Sequence, residues 1–238
     1  MEPTASEAKA VPAAVEADCP RCLKPPKLCV CAGIEPIDNK VALVILQHPQ
    51  EQDKALGTAR LTALHFRKAI FRIGLSWPSL AALLGRPADP RRWAVLYLGS
   101  AQVADLPPGR EIAVLDAKGT PLPDQDAALR GLAGIVLLDG SWSQAKTLWW
   151  RNPWVLKARR VVLAPTRPSR YGALRREPRR EGLSTLEAAG LLLARLEGRP
   201  EIEAALLASF ERLLSAYRAT QPKPDFRRRR PRQRVAAR

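Results

Sequence analysis

The run Gly134-Ile135-Val136-Leu137-Leu138-Asp139-Gly140-Ser141-Trp142-Ser143-Gln144-Ala145-Lys146 decides how the rest of the chain is read. Four consecutive branched apolar residues, Ile135 to Leu138, describe a strand covered on both faces, and Asp139-Gly140 ends it. The polar groups that follow therefore emerge at the strand's carboxyl end, where open α/β sheets bind ligands. Asp139, Ser141 and Trp142 bring a carboxylate, a hydroxyl and an indole within four residues: a candidate proton acceptor, a donor and a stacking face. A local explanation stands beside this one, in which Asp139 and Ser143 cap the turn and the next helix while Trp142 fills core. The residues alone leave both open.

Outward from this stretch, short apolar strands alternate with helices. Strands are expected at Val41–Leu46, Ala69–Ile73, Trp93–Leu98, Ile112–Leu115, Ile135–Leu138 and Arg160–Leu163, separated by proline-rich connectors such as Pro87–Pro90, Pro107-Pro108 and Pro121–Pro123. Thr58 is the expected cap of a helix running to about Arg67, and further helices are expected over 143–150, 184–197 and 201–218. The alternation predicts an α/β fold with a mainly parallel sheet flanked by helices. It carries no internal repeat and no signal for strand order.

The 238 residues, 46% of them apolar, suffice for one sizeable core with a small satellite module. No apolar run approaches the ~18 residues of a membrane span. The first eighteen residues are rich in Ala, Glu and Pro without a basic start or an apolar core, which reads as a disordered leader and, by default, a cytoplasmic protein.

The net charge of +16 is concentrated. Residues 157–180 hold nine Lys or Arg against one acid, and residues 223–238 hold eight against one. Two such segments suit a polyphosphate partner, because each neutralised phosphate releases counterions. Nucleic acid is the expected partner, and a membrane is disfavoured because the tail lacks an apolar face. In the loop after the sixth strand, Arg167, Arg170, Arg175 and Arg176 are candidate phosphate contacts and Tyr171 a candidate base-stacking ring. In the tail, Arg227, Arg228, Arg229 and Arg230 extend the same cationic surface, in a segment too polar to bury a core. Trp149, Trp150 and Trp154 lie near this region, but consecutive residues face different sides of a helix, so at least one belongs to the core.

All four cysteines fall in Cys19-Pro20-Arg21-Cys22 and Cys29-Val30-Cys31. C-x-x-C followed by C-x-C supplies four thiolates to one tetrahedral ion, and a closed shell implies a structural role. Zinc is the favoured occupant; paired disulfides and an iron–sulfur cluster are the alternatives. His48 and His65 have no companions for a metal site and read as structural. Ser184-Thr185-Leu186-Glu187 is a capping box that accounts for Glu187 locally, while the amides of the helix it starts also attract a carboxylate.

Taken in order, the cysteine pairs, Gln47-His48-Pro49 with Gly57-Thr58-Ala59-Arg60, Asp139-Gly140-Ser141-Trp142, and Arg167-Pro168-Ser169-Arg170-Tyr171 with Ser184-Thr185-Leu186-Glu187-Ala188 resemble the DTW-domain family over about residues 19–217. These are the tRNA-uridine aminocarboxypropyltransferases. One departure is visible: the family's Asp-x-Thr-Trp reads Asp139-x-Ser141-Trp142, which keeps the hydroxyl and loses a methyl group.

The resemblance implies a SPOUT-related fold that binds S-adenosylmethionine at the carboxyl end of the sheet and a chain divided into a leader (1–18), a four-cysteine zinc module (19–38), a catalytic domain (39–219) and a basic tail (220–238). It also implies transfer of the 3-amino-3-carboxypropyl group to N3 of a tRNA uridine, releasing 5′-methylthioadenosine. On that reading Asp139 accepts the uridine proton. Leu138, Ser141, Trp142, Pro165, Thr166, Ser184, Thr185 and Glu187 hold the cofactor, and the basic loop and tail hold tRNA, with no protein partner implied. The competing readings are a SPOUT-like RNA methyltransferase, an aminocarboxypropyltransferase acting on ribosomal RNA, and a zinc-stapled RNA-binding protein without activity.

Overall fold

In the computed structural model of the protein, the described residues are 17–52, 54–97, 99, 106, 109–116, 118–175 and 182–222. The leader up to residue 16, Arg176, and the tail from 223 with Arg227, Arg228, Arg229 and Arg230 lie outside them.

Six strands, β1 Ala42–Gln47, β2 Ala69–Ile73, β3 Trp93–Leu96, β4 Ile112–Leu115, β5 Gly134–Asp139 and β6 Arg159–Leu163, form one sheet in the order β2-β1-β5-β3-β6-β4. Every neighbouring pair is parallel except β4 and β6. The mainly parallel sheet expected from the sequence is therefore present, with one antiparallel strand at an edge. That edge is covered by Gln125, whose side chain accepts from Val114 N (2.7 Å) and donates to Val114 O (3.0 Å), standing in for a neighbouring strand.

Strand periodicity sends alternate side chains to the two faces of the sheet. In β1, Leu43 and Ile45 face one layer and Ala42, Val44 and Leu46 the other. The first layer is built by α1 (Ala59–Leu64), α5 (Thr185–Glu197) and α6 (Pro200–Thr220). The second is built by α2 (Leu80–Leu84) and a 3-10 segment carrying Trp154 and Val155. Two further helices, α3 (Gln125–Leu129) and α4 (Trp142–Arg151), complete the set among the described residues. The short α2 and α3 were not legible as helices, since five residues show barely one turn of periodicity.

Helix α1 stops at Leu64, short of the expected Arg67, because the next residues pair with the incoming chain: Ile37 N donates to His65 O (2.8 Å) and Arg67 N to Ile37 O (3.0 Å). Gly134 opens β5 because Trp93 lies across it, and a Cβ there would meet the indole at 2.3 Å. At the far end of α5, the Glu197 carboxylate accepts from Lys40 N (2.8 Å) and Val41 N (2.9 Å), tying the start of β1 to that helix. No helix among the described residues is long and apolar enough to cross a membrane.

Candidate active site

The carboxyl ends of β3, β5 and β6 and the starts of α4 and α5 surround a cavity of about 530 Å³, closed on another side by Glu51, Gly57 and Thr58. Its lining mixes apolar side chains (Leu96, Leu137, Leu163) with Asp139, Thr185, Glu51 and Arg175. This is the position a ligand takes in an open parallel sheet, where strands on either side of β5 connect in opposite directions.

Asp139 ends β5 beside Gln47, its register partner at the end of β1. The Gln47 amide donates to Oδ2 at 2.9 Å, and the Thr185 hydroxyl donates to Oδ1. Burial pushes the Asp139 carboxyl above the usual carboxylate range. The bonds from Thr185 and Gln47 pull it back, Glu51 pushes it up and Arg175 pulls it down. A desolvated carboxylate with fixed orientation, open to a cavity, suits proton acceptance.

Helix α4 starts at Trp142, and its cap is Ser141 rather than Asp139 or Ser143. Ser141 Oγ accepts from Gln144 N (3.4 Å), and Gln144 Oε1 accepts from Ser141 N (2.6 Å). Asp139 is thereby released from capping. Leu138, Ser141 and Trp142 all border the cavity, with Trp142 half-buried.

At α5, Ser184 and Glu187 form the capping box read from the sequence. Thr58 makes no side-chain cap on α1; its hydroxyl instead accepts from Leu186 N at 3.4 Å. With Glu187 N bonded to Ser184 Oγ (3.2 Å), two amides of this helix start are already used, and the Thr185 amide is left without a partner among the described residues. The two helix starts add positive partial charge to the cavity wall.

Several expected site residues are placed differently. Glu187 is 6% exposed, off the cavity lining, and spent on protein contacts. Its Oε2 accepts from Ser184 N (2.9 Å), Ser184 Oγ (2.7 Å) and Ser169 Oγ (2.7 Å), and its Oε1 from Arg170 N (2.8 Å). It clamps the cationic loop to α5.

Pro165 and Thr166 lie past the wall at Leu163, because the ladder with β4 runs on to Ala164 N–Glu111 O (2.9 Å) before the chain turns. Tyr171 is 1% exposed, donates its hydroxyl to Leu56 O (2.7 Å) and meets Phe210 edge-on at 5.0 Å. Burial raises its phenol to about 12, and its ring is core rather than a free stacking face. Arg170 is paired with Glu211 at 2.7 Å, Arg175 lies over the Tyr171 ring at the cavity, and Arg167 is exposed.

The tryptophans divide as helix geometry requires. Trp149 stacks on Tyr97 (4.4 Å), Trp154 is buried, and Trp150 points outward. Both histidines are structural: His48 Nδ1 accepts from Gln50 N (3.3 Å), and His65 is buried, its imidazole pushed down to about 4 by burial and Arg212.

The four cysteines converge as their spacing predicted, with their sulfurs within 4.8 Å of one another. Cys22 Sγ and Cys29 Sγ are 3.8 Å apart, which matches the edge of a tetrahedron with metal–sulfur bonds of about 2.3 Å. Backbone N–H groups of Cys22 and Arg21 hold the Cys19 thiol down to about 6, whereas burial pushes Cys22 and Cys31 up. Two buried thiols facing two others fit a thiolate-bound ion. The module is not a detached unit, since Leu28, Val30 and Ile34 belong to the main core.

Gln47 and Thr58 had no assigned role in the site. A buried polar residue closing an apolar strand was the available signal for Gln47. Nothing local distinguished Thr58 from an ordinary cap.

The family model for the DTW domain matches residues 16–218. The chain is 31% identical over 213 residues to the tRNA-uridine aminocarboxypropyltransferase 2 of Macaca fascicularis, covering 86% of this chain and 64% of that protein. It is 33% identical over 193 residues to the Drosophila melanogaster protein of the same name (79% and 70%) and 30% identical over 203 residues to that of Mus musculus (83% and 62%). The chain thus spans roughly two thirds of the length of these relatives. No solved structure matches it significantly.

Proposed function

Since the chain belongs to the DTW-domain family, we propose that it transfers the 3-amino-3-carboxypropyl group of S-adenosylmethionine to N3 of a tRNA uridine. The products are 3-(3-amino-3-carboxypropyl)uridine and 5′-methylthioadenosine. The observation that carries this reading is the cavity at the carboxyl end of the sheet, with a half-buried carboxylate and two helix starts facing it. The names of the relatives supply the reaction. The six-stranded sheet with its ligand end at β5 accords with a SPOUT-related fold.

The residues fit the cofactor. Leu138, Ser141 and Trp142 would hold it from the β5–α4 side, and the Thr185 amide at the positive end of α5 would take its carboxylate. When bound, the sulfonium supplies an electrophilic carbon and a neutral thioether leaving group. Asp139 accepts the N3 proton of uridine as the N3–carbon bond forms. Gln47 and Thr185 keep its oxygens in place, and Trp142 lines the same cavity.

Arg167, Arg175 and the tail beginning at 223 would bind tRNA phosphates. We read 19–38 as a zinc module, its four free thiols suited to a reducing cytoplasm, and 39–219 as the catalytic domain.

The test is mass spectrometry of both products after incubation with unmodified tRNA and S-adenosylmethionine. A uridine carrying one aminocarboxypropyl group, together with methylthioadenosine, is expected. Methylated RNA with S-adenosylhomocysteine would make the protein a methyltransferase. Modification of ribosomal RNA alone would change the substrate, and tRNA binding without a product would leave a binding protein.

A further inference from the structure

Lys24 is a buried lysine, 6% exposed, with no acidic side chain bonded to it among the described residues. Such a group is rare in protein interiors unless other partners compensate it. Its backbone belongs to the cysteine loop: Cys19 N donates to Lys24 O (2.9 Å), and Leu23 N donates to Cys19 O (2.8 Å). Its side chain leaves that loop and donates to Ala55 O at 2.7 Å and to Lys54 O at 3.4 Å. Thiolates at Cys22 and Cys31 would favour its charged form. Four thiolates around a divalent ion retain excess negative charge, so a loaded site suits a cation there.

The turn that Lys24 grips is held from its other side as well. Tyr171 donates its hydroxyl to Leu56 O (2.7 Å), and Gly57 N closes onto Lys54 O (2.9 Å). Three successive carbonyls, 54 to 56, are therefore each fixed by a partner. The next two residues, Gly57 and Thr58, line the cavity, and Thr58 is bonded to the start of α5.

We propose that Lys24 is a positioning residue through which the metal-loaded cysteine module fixes the cavity wall at Gly57 and Thr58. Metal occupancy is thereby coupled to ligand binding at a cavity that contains none of the cysteines. The consequence for cofactor affinity rests on the proposed function; the coupling itself does not.

Hydrogen exchange read by mass spectrometry on the full chain tests the coupling, with β5 amides as the reference for global folding. Chelating the metal should speed exchange at Gly57 by about tenfold or more, because a charge-assisted bond to the turn is removed. Lys24→Met, with metal content confirmed at the wild-type level, should do the same, and chelation should then add nothing further at Gly57. Its affinity for S-adenosylhomocysteine should weaken about tenfold. Loss of protection over 19–34 with Gly57 unchanged would overturn the proposal, as would a metal-loaded Lys24→Met with wild-type exchange at Gly57. If Lys24→Met does not fold, the chelation arm decides alone. Altered exchange in a protein that binds no S-adenosylhomocysteine would defeat the proposed function and leave the coupling standing.

Discussion

Gln47 and Asp139 face each other as register partners at the carboxyl ends of β1 and β5, and the Gln47 amide donates to Asp139 Oδ2 at 2.9 Å. The pairing uses the parallel sheet itself to aim a carboxylate. Thr185 completes the support from the opposite layer, so two strands and one helix define the orientation of a single side chain.

Asp139→Asn removes the proposed proton acceptor and preserves the shape of the side chain. Transfer in single-turnover assays should fall about 100-fold or more, with cofactor affinity by titration changed less than about threefold. Wild-type turnover in this variant would remove Asp139 from the chemistry.

Gln47→Leu should shift the pH profile. The proposed base works as the carboxylate, so the rate declines as pH falls through its pKa. Burial already places that decline above the ordinary carboxylate range, and the Gln47 bond partly offsets the effect. Without the amide, the acid limb moves to higher pH. A limb that stays in place while the plateau rate drops would mean that Gln47 contributes position alone.

Glu187→Ala and Thr185→Ala should separate stability from binding. Removing Glu187 strands four donors from Ser169, Arg170 and Ser184, so chemical denaturation should show a loss of about 3 kcal/mol or more. Thr185→Ala should instead lower turnover with a loss of no more than about 1 kcal/mol. The opposite ranking in denaturation would show that Glu187 is not the clamp.

Removing residues 223–238 deletes eight Lys or Arg. The dependence of tRNA affinity on salt should flatten by roughly 0.7 to 0.9 in log–log slope for each phosphate no longer neutralised, with affinity for S-adenosylhomocysteine unchanged. An unaltered slope would exclude the tail from the RNA site.

The cysteine cluster, the strand ending at Asp139 and the capping box at Ser184 were legible because each is a local pattern of ligand spacing, apolar run or helix start. Glu187 was legible as a cap but not as a clamp, since Ser169 and Arg170 approach it from a loop eighteen and seventeen residues away. Tyr171 illustrates the converse. A tyrosine among arginines suggested a base-stacking surface, yet its hydroxyl finds Leu56 O, 115 positions earlier, and burial follows.

The sequence by itself determined that the chain alternates strands and helices, that a carboxylate stands at the end of an apolar strand, and that four thiols can share one ion. These depend on contacts within a few residues. Only the tertiary structure decided that β5 lies between β1 and β3, which sets Gln47 against Asp139, that Thr185 crosses from another layer to the same carboxylate, and that Lys24 spans from the cysteine module to the cavity wall. Each joins residues 30 to 92 positions apart, and such pairs are chosen by how the layers pack, which no local pattern encodes.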